Sequence, residues 1–440
     1  MSQYPDTESR EEDKPAAFFG LSAVSACSLL FLTLIATINY LDRHLLSLVL
    51  PLIKEEMVVS DTALGLVSGL AFVLMYSVAG VPIASLADRW NRRNIIAVGL
   101  TFWSLMVFCT AFVTDIWQLA FLRLLMGAGE ATCLAPAQSM LADRFRPERR
   151  AFALSVFNGS SALSQIAFLP IMGLIAQEHG WRAAFIAAGV PGMLLAAIFL
   201  LVVKEPPRGQ MDEGKPVQEA ISFKTAARHL ARIATYVTLF FGFSIYMINI
   251  NAHSAWDTTF LVRVHEMSIS EVSSIIGPIK GGLGVVGALA GGFLVDRLGQ
   301  RDPRWRLWIP GIACLLLLPA EAAFLLGEGA LFHVGLVATS LLNFLFVGAI
   351  YAVILNVVPI RVRALAISIV VMTAALVGQV IGPFVVGYLN DLYHPTLGEE
   401  AIRYSLLIIV VSAFAAGALF FLAARTMQAD SARSEDLQRR

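Results

Sequence analysis

Of the 440 residues in this chain, 57% are hydrophobic and only 15% are charged, whereas about 25% of the residues of a soluble globular protein are charged. The 32 Lys and Arg residues balance the 32 Asp and Glu residues, so no excess of charge favours a nucleic-acid partner. Composition therefore excludes an ordinary soluble protein and predicts a polytopic protein whose main partner is the membrane lipid bilayer.

The predicted elements are helices, because only a helix satisfies its own backbone hydrogen bonds within lipid and about 20 apolar residues suffice to cross it. Twelve segments qualify. In chain order they are 22–53, 62–87, 94–114, 116–142, 150–177, 182–203, 233–262, 270–295, 305–327, 330–358, 363–390 and 401–425. The sequence thus predicts an all-α membrane fold with twelve transmembrane helices.

The polar stretch 204–232 divides these helices into six and six. The predicted domains are a cytoplasmic N-terminal tail (1–21), an N-terminal six-helix bundle (22–203), a cytoplasmic linker (204–232), a C-terminal six-helix bundle (233–425) and a cytoplasmic C-terminal tail (426–440). Residues 1–14 lack the basic and apolar regions of a cleaved signal peptide, so the N-terminal tail is expected to remain.

Most Lys and Arg residues fall in the loops on the side of both termini. Such residues concentrate in cytoplasmic loops, so both termini are predicted to be cytoplasmic, and a bacterial inner (plasma) membrane is the expected location. All four cysteines lie within apolar segments, which argues against a disulfide framework.

The first helix contains an unusual polar run, Asn39-Tyr40-Leu41-Asp42-Arg43. A charge inside a membrane costs about 2.5–3.5 kcal/mol, so such residues usually face a cavity or a partner. Adjacent residues on a helix point about 100° apart, so Asp42 and Arg43 cannot satisfy each other and need partners on other helices.

Candidate partners lie in the fourth predicted helix. Arg123 and Glu130 are seven residues apart, on one helix face, and Gly127 between them leaves room for a neighbouring helix. We expect Arg43 to lie close to Glu130 and Asp42 to be reachable from a central cavity.

This cluster predicts a proton switch. A carboxylate whose distance to an arginine changes between two conformations also changes its proton affinity, which links protonation to shape. Asp42 and Glu130 are the candidate proton carriers, and Arg43 is the group that resets them. The alternative is a permanent ion-pair network that only fixes helix packing.

One loop pattern occurs twice, first as Ala84-Ser-Leu-Ala-Asp88-Arg89-Trp-Asn-Arg92-Arg93 and again as Gly292-Phe-Leu-Val-Asp296-Arg297-Leu-Gly299-Gln-Arg301. A loop that is merely basic would explain the arginines but not the duplicated spacing of the small residue, Asp and Arg. The pattern predicts cytoplasmic gate motifs whose candidate residues are Asp88, Arg89, Arg93, Asp296, Arg297 and Arg301.

With these motifs the chain resembles the major facilitator superfamily, over all twelve predicted helices. Arg123-Leu-Leu-Met-Gly127-Ala-Gly129 is similar to a helix 4 motif of that family. The Asn39–Arg43 run, Glu130, Glu205-Pro-Pro-Arg208-Gly and Phe260-Leu-Val-Arg263-Val-His265 resemble its Spinster branch. The resemblance implies two bundles that rock about a central site, and a branch associated with the export of sphingosine phosphate and lysophospholipids.

The resemblance has two departures. Gly159, Pro170 and Gly173 keep only fragments of the glycine-rich stretch found in the fifth helix of exporters, and no role for Lys280 is carried over from the family. Lys280 and Arg123 are candidate anchors for an anionic head group, because a buried cation attracts phosphate strongly. For Lys280, pairing with Asp257 or Glu321 remains an equal alternative.

Further candidate substrate-binding residues are Asn39, Tyr40, Tyr246 and Asn251. Aromatic residues of the seventh and tenth predicted helices could face an acyl chain: Phe240, Phe241, Phe243, Tyr246, Phe344, Phe346 and Tyr351. Asn251 and His253 could interrupt the seventh helix and form an outer gate there.

The function predicted from these residues and the resemblance is proton-coupled, alternating-access transport of an amphipathic, anionic, lipid-like substrate such as a lysolipid or sphingosine phosphate. The expected partners are protons and one small substrate molecule; no cofactor or metal is expected beyond the proton gradient, and a monomer is expected. The alternatives are proton-coupled or facilitated transport of drugs or small organic anions, and an intramembrane lipid enzyme. The sequence has no nucleophile elbow and no His-Glu-x-x-His motif, which disfavours the enzyme.

Overall fold

A computed structural model of the protein describes residues 22–210, 223–359 and 362–439. The predicted N-terminal tail (1–21) and residues 211–222 of the predicted linker lie outside these ranges. Residues 22–210 are called the N-terminal half below, and residues 223–439 the C-terminal half.

The described parts of both halves are built from helices. The N-terminal half contains α1 (Ala23–Met57), α2 (Asp61–Leu66), α3 (Phe72–Ala87), α4 (Arg92–Thr110), α5 (Ile116–Glu130), α6 (Leu134–Arg144), α7 (Pro147–Asn158), α8 (Ser160–Leu163) and α9 (Leu169–Val202). The C-terminal half contains α10 (Phe223–Leu230), α11 (Ala234–His265), α12 (Ile269–Gly299), α13 (Trp305–Leu326), α14 (Ala330–Leu342), α15 (Val347–Val357), α16 (Arg363–Leu397) and α17 (Ala401–Arg439). π-helical turns at Val67–Ala71 and Ser164–Phe168 join α2 to α3 and α8 to α9.

Short polar side chains begin several of these helices. Ser60 accepts a hydrogen bond from the backbone of Ala63, and Asp115 accepts from Trp117 and Gln118. Ser268 and Glu271 form a reciprocal capping box at the start of α12. These residues satisfy N–H groups that have no partner within the helix, and so they fix where each helix starts.

By length and composition, eight helical stretches among the described residues could cross a membrane. Three of the eight span a break: residues 131–133 separate two helices within 116–144, Gly180 has a φ of +83° within 147–202, and a 3-10 turn at Gly398–Glu400 interrupts 365–434. The predicted seventh and tenth helices coincide with α11 and with the pair α14–α15. The helical membrane fold is confirmed, whereas the count of twelve crossings stays a prediction.

Several predicted helices differ from the structure. The predicted helices 116–142 and 330–358 are broken, because α5 ends at Glu130 before α6 begins at Leu134, and α14 ends at Leu342 before α15 begins at Val347. The expected break at Asn251 and His253 is wrong. There α11 is continuous, and the Asn251 amide donates to the Met247 carbonyl of the same helix at 2.8 Å.

The last helix also continues beyond the predicted boundary at 425. α17 extends to Arg439, and tertiary contacts are made by residues beyond 425. Met427 is fully buried, and Asp430 accepts a hydrogen bond of 2.9 Å from the backbone N–H of Thr235 near the start of α11. Residues 426–439 are thus helical and are not a separate tail.

The two halves meet at one end of the molecule, which carries the α1–α2 turn (residues 58–60) and is called the α1–α2 end. There α2 packs on α16, α9 on α12 and α1 on α11, and one hydrophobic core includes buried residues of both halves. The approach is close, because a Cβ atom on Gly69 would overlap the backbone oxygen of Gln379. The opposite end, with the α3–α4 turn (residues 88–91), is called the α3–α4 end.

Candidate functional site

Two adjoining cavities of about 180 Å³ and 190 Å³ lie between the halves. His44, Ser47, Ser161 and Ser254 line both of them, so together they form one central cavity with two lobes. The Arg43 lobe is lined by Arg43 and Arg123, and the Lys280 lobe by His253, Asp257 and Lys280. The sequence had predicted charged residues of both lobes as site residues.

Arg43 holds the first lobe together. Its Nε donates to the Glu130 carboxylate at 2.8 Å, and an Nη donates to the Asn39 side chain at 3.3 Å. Its guanidinium also lies over the rings of Phe72 and Tyr76, 4.7 Å and 5.0 Å from their centroids. The structure thus places Arg43 beside Glu130, as the sequence analysis predicts.

Asp42 differs from the expectation that it reaches the central cavity. It is fully buried and lines neither lobe, and neither of its carboxylate oxygens has a hydrogen-bond partner among the described residues. The reason is the 100° offset between neighbours on a helix: Arg43 faces the cavity, so Asp42 points into the packing of the N-terminal half.

Arg123 is a second buried cation beside the first lobe. It is 2% exposed, its guanidinium lies 5.1 Å from the centroid of the Phe72 ring, and its Nε and one Nη have no hydrogen-bond partner among the described residues. Buried polar groups are nearly always hydrogen-bonded. The free donors of Arg123 and the free acceptors of Asp42 are therefore the unusual feature of this lobe.

The second lobe contains a connected set of polar side chains. Lys280 on α12 is ion-paired with Asp257 on α11. Asp257 contacts His253 at 2.8 Å, His253 contacts Glu321 at 3.0 Å, and Asn249 donates to Glu321 at 2.8 Å. Of the alternatives left open for Lys280, pairing with Asp257 is present in this conformation, and the side chain keeps 21% of its surface exposed.

The other predicted substrate-binding residues lie at different depths. Tyr40 and Asn251 line the Arg43 lobe, and Asn39 is buried beside it. Tyr246 is fully buried away from both lobes, where its hydroxyl donates to Asn343.

The expected aromatic lining is wrong for this conformation, because only Phe344 of those aromatic residues lines the cavity. Phe346 is buried against Tyr246, and Phe241 is 53% exposed. Serine, histidine and amide side chains form much of the wall instead.

The predicted gate motifs contain one residue that sequence reasoning overlooked. Arg92 is 2% exposed and donates to Asp143 at 2.5 Å, to Glu205 at 2.7 Å and to Ser139 at 2.8 Å. Arg93 contributes its backbone N–H to Glu205 at 2.8 Å. The sequence feature that could have identified Arg92 is the Glu205-Pro-Pro-Arg208 segment, because Glu205 accepts hydrogen bonds from Arg92 and from the backbone N–H of Arg93.

The remaining gate residues are exposed at the α3–α4 end: Asp88, Arg89, Asp296, Arg297 and Arg301. Among the described residues none of their side chains forms an ion pair. Arg208 donates to the backbone oxygens of Ala87 and Trp90, so its contacts also stay within the N-terminal half. No ion pair of the described chain joins the halves at this end.

Ion pairs that do join the halves lie at the α1–α2 end and were not predicted. Arg263 on α11 makes a two-point contact with Asp61 on α2, at 2.6 Å and 2.9 Å. Asp391 on α16 accepts from the backbone N–H groups of Asp61 and Thr62, at 2.9 Å and 2.8 Å. A signal was available, because Arg263 is one of few cations on the predicted outer side.

Asp61 also pairs with Lys54 of α1 at 2.8 Å, and Arg263 with Glu399 at 3.3 Å. These contacts close one end of the cavity. Within the described ranges, no group of three or more His, Cys, Asp and Glu residues is placed to hold a metal ion.

Known proteins support the resemblance seen in the motifs. The family model of the Major Facilitator Superfamily matches residues 32–369. An MFS-type efflux pump of Mycolicibacterium smegmatis is 34% identical over 89% of this chain and 90% of its own length. The human protein spinster homolog 1 is 28% identical over 94% of this chain and 83% of its own length.

Two further similarities bear on fold and cargo. The crystal structure of a bacterial homologue of the human lysosomal transporter Spinster, in an inward-facing and unoccupied conformation, superposes with a TM-score of 0.84 at 28% identity, over 93% of this chain and 99% of that one. A hexuronate transporter of Bacillus subtilis is 27% identical over 82% of this chain and 87% of its own length. The chain belongs to the major facilitator superfamily, in which it is a Spinster-like, membrane-spanning transporter and not an enzyme.

Proposed function

We propose that this transporter couples the movement of protons to that of an amphipathic, anionic, lipid-like substrate such as a lysolipid or sphingosine phosphate. The observation that carries the proposal is the Arg43 lobe. A buried Arg43–Glu130 ion pair adjoins two unpaired buried groups of opposite charge, Asp42 and Arg123. The carboxylates Asp42 and Glu130 can gain or lose a proton when their distances to the arginines change.

An anionic head group fits this lobe for a second reason. Arg43 and Arg123 both line it, and Arg123 has N–H donors that no described residue uses. A guanidinium binds phosphate and carboxylate oxygens in a two-point geometry. Lys280 in the other lobe offers a third cation, which a substrate anion would share with Asp257 or take from it.

The transport cycle follows from the contacts between the halves. With both termini in the cytoplasm of a bacterial cell, the closed α1–α2 end faces outward and the α3–α4 end faces the cytoplasm. Breaking the Asp61–Arg263 contact and closing the α3–α4 end would expose the central cavity to the other side. Proton binding in the cavity would shift the balance between these two states, because a ligand favours the state that binds it more tightly.

A second candidate cargo is a small organic anion or a drug. The polar lining favours it, since Ser47, Ser161, Gln165, Ser254 and Asn343 line the cavity together with the aromatic Phe344. The efflux pump and the hexuronate transporter among the relatives carry names of this class. The two cargo classes share the anion-binding cations and differ in the acyl chain.

Flux into proteoliposomes tests both. Labelled lysophosphatidic acid, sphingosine phosphate, zwitterionic lysophosphatidylcholine and glucuronate are compared with and without a pH gradient. Proton-driven flux of the two anionic lipids supports the proposal, and flux of glucuronate alone supports the second candidate. Asp42→Asn and Glu130→Gln should each abolish the response to the pH gradient, whereas Glu178→Gln, at an exposed carboxylate, should not. If Asp42→Asn and Glu130→Gln both respond to pH as the wild type does, the coupling scheme is wrong.

A further inference from the structure

The polar side chains of the Lys280 lobe form a unit separate from the Arg43 lobe. We call it the His253 network; it consists of Asn249, His253, Asp257, Lys280 and Glu321. Residues 249, 253 and 257 are four apart, so they follow one face of α11, while Lys280 comes from α12 and Glu321 from α13. Three helices of the C-terminal half therefore meet at this network.

The contacts of His253 require an additional proton. Its Nδ1 lies 2.8 Å from an Asp257 oxygen, and its Nε2 lies 3.0 Å from a Glu321 oxygen. A neutral imidazole has one N–H, and an ionised carboxylate only accepts hydrogen bonds. If both carboxylates were ionised and the ring were neutral, one of the two contacts would place a nitrogen lone pair of His253 against an oxygen lone pair of a carboxylate. That contact would be repulsive. Both become hydrogen bonds when one more proton is bound, on the ring or on a carboxyl group.

The charges of the network also require one bound proton. Asp257 and Glu321 carry two negative charges, and Lys280 supplies one positive charge. One bound proton makes the buried group neutral, which avoids the large cost of an uncompensated charge away from water.

Among the residues that the structure describes, the surroundings of the network supply no other Lys or Arg for these carboxylates. His44 of α1 lines the same lobe, Arg43 lines only the adjoining one, and Tyr246 and Cys314 lie near Glu321. Among the described residues no Lys or Arg other than Lys280 pairs with Asp257 or Glu321.

We propose that the His253 network is a second proton-binding site, in the C-terminal half, where His253, Asp257 and Glu321 share one proton. The proton reaches the site from the water of the central cavity, because His253, Asp257 and Lys280 line that cavity. Glu321 lies behind His253 and is fully buried. This site is distinct from Asp42 and Glu130, which belong to the N-terminal half.

The proposal has a consequence for transport that rests on the proposed function. Each half would contribute one proton-binding site, and both sites would change sides together when the halves rock. A variant that lacks the His253 proton would then move fewer protons per substrate molecule than the wild type.

Spectroscopy at neutral pH tests the site without any cargo. Protein with ¹⁵N-labelled histidine is reconstituted in liposomes, where NMR detects an imidazolium ring and infrared spectroscopy detects a protonated carboxyl group. Glu321→Gln keeps the shape and the contact with Asn249, and its amide N–H₂ can donate to a neutral ring, so the extra proton is no longer needed. We expect the wild type to show one of the two signals and Glu321→Gln to lose it.

Asp257→Asn should also lose the signal, because Lys280 and Glu321 then balance each other without a proton. Glu178→Gln is the matched control, since Glu178 lies 4.0 Å from the exposed His179, and it should leave the signal unchanged. The proposal is overturned if the wild-type spectra show a neutral His253 ring and also show no protonated carboxyl signal that Glu321→Gln removes. If the spectra change as expected but the wild type moves no protons, the site stands and the proposed coupling fails.

Discussion

At the scale of single residues, Arg43 shows how one side chain can hold a buried acidic cluster. It donates to Glu130 and to Asn39 while its planar guanidinium covers the rings of Phe72 and Tyr76. A lysine has a compact ammonium group and cannot combine these contacts in one geometry. The shape of the side chain matters here as well as its charge.

Arg43→Lys should therefore destabilise the protein although the charge is kept. We expect a loss of about 1–3 kcal/mol in the free energy of unfolding, because a buried acceptor loses its donor and ring contacts are removed. Denaturant unfolding of the purified protein in detergent measures it. Arg89→Lys at the exposed gate position is the control and should change stability by less than about 0.5 kcal/mol. Equal stabilities of the two variants would contradict the role assigned to Arg43.

At the scale of helices, the contact between α2 and α16 depends on small residues. Cβ atoms on Gly65 and Gly69 would overlap the backbone of Pro383 and Gln379, so the two helices can approach only with glycine at these positions. Trp256 of α11 adds a hydrogen bond of 2.9 Å to the Pro383 carbonyl. This helix pair is a close contact between the halves and must separate for the α1–α2 end to open.

Gly69→Ala should weaken this contact. The added methyl group costs about 1–3 kcal/mol through overpacking, which exceeds the gain in helix propensity of about 1 kcal/mol. Gly80→Ala lies on the same stretch of helix with nothing within 4 Å of the new atom, so only the gain applies. We expect a lower melting temperature for Gly69→Ala and an equal or higher one for Gly80→Ala. A higher melting temperature for Gly69→Ala than for Gly80→Ala would show that the helices are not closely packed at Gly69.

The segment of residues 203–209 at the α3–α4 end is a second feature at the scale of helices. Residues 203–209 hold the α3–α4 turn through Glu205 and Arg208, and they join it to α6 through Asp143, which accepts from Gly209 at 3.0 Å. The duplicated loop motif is asymmetric in this respect, since Arg92 of the first copy is buried in ion pairs whereas its counterpart in the second copy, Gln300, is exposed. The N-terminal half therefore has a fixed surface where the C-terminal half would meet it.

At the scale of the whole molecule, the distribution of contacts sets the conformation. Ion pairs and packed glycines join the halves at the α1–α2 end, whereas the gate motifs stand apart at the other end. The balance between two states depends on the difference between the contacts at the two ends, and not on their sum. In the proposed transport cycle the Asp61–Arg263 pair breaks when the α1–α2 end opens, so we expect it to favour the closed state of that end.

Asp61→Asn should shift the population towards states with the α1–α2 end open. Losing a hydrogen bond between charged groups costs about 1.5–3 kcal/mol, and every 1.4 kcal/mol is about a tenfold change in the ratio of states. Distances between spin labels at Val58→Cys and Leu397→Cys, both exposed at this end, report the opening after the native cysteines are replaced.

Lys54→Gln is the matched control for this experiment. It removes another partner of Asp61, but one from the same half, so it should shift the distances much less. If Asp61→Asn and Lys54→Gln give the same distance distribution as the wild type, the contact between Asp61 and Arg263 does not set the conformation.

The sequence by itself determined the helical membrane fold, the family and the pairing of Arg43 with Glu130. Long apolar segments leave the backbone no alternative to the helix, and fixed angles between neighbouring residues fix which side chains can meet. The same reasoning located Arg123 and Lys280 but could not choose a partner for Lys280, because its candidates lie 23 and more residues away on other helices.

Only the tertiary structure decided which groups face the cavity and which end is closed. Asp42 lies in the helix packing and Tyr246 behind the wall, although both read as cavity residues in the sequence. Asp61 is in contact with Arg263 and Asp391, although as many as 330 sequence positions separate these residues. Such contacts depend on how two helix bundles are tilted against each other, and periodicity within one helix contains no information about that tilt.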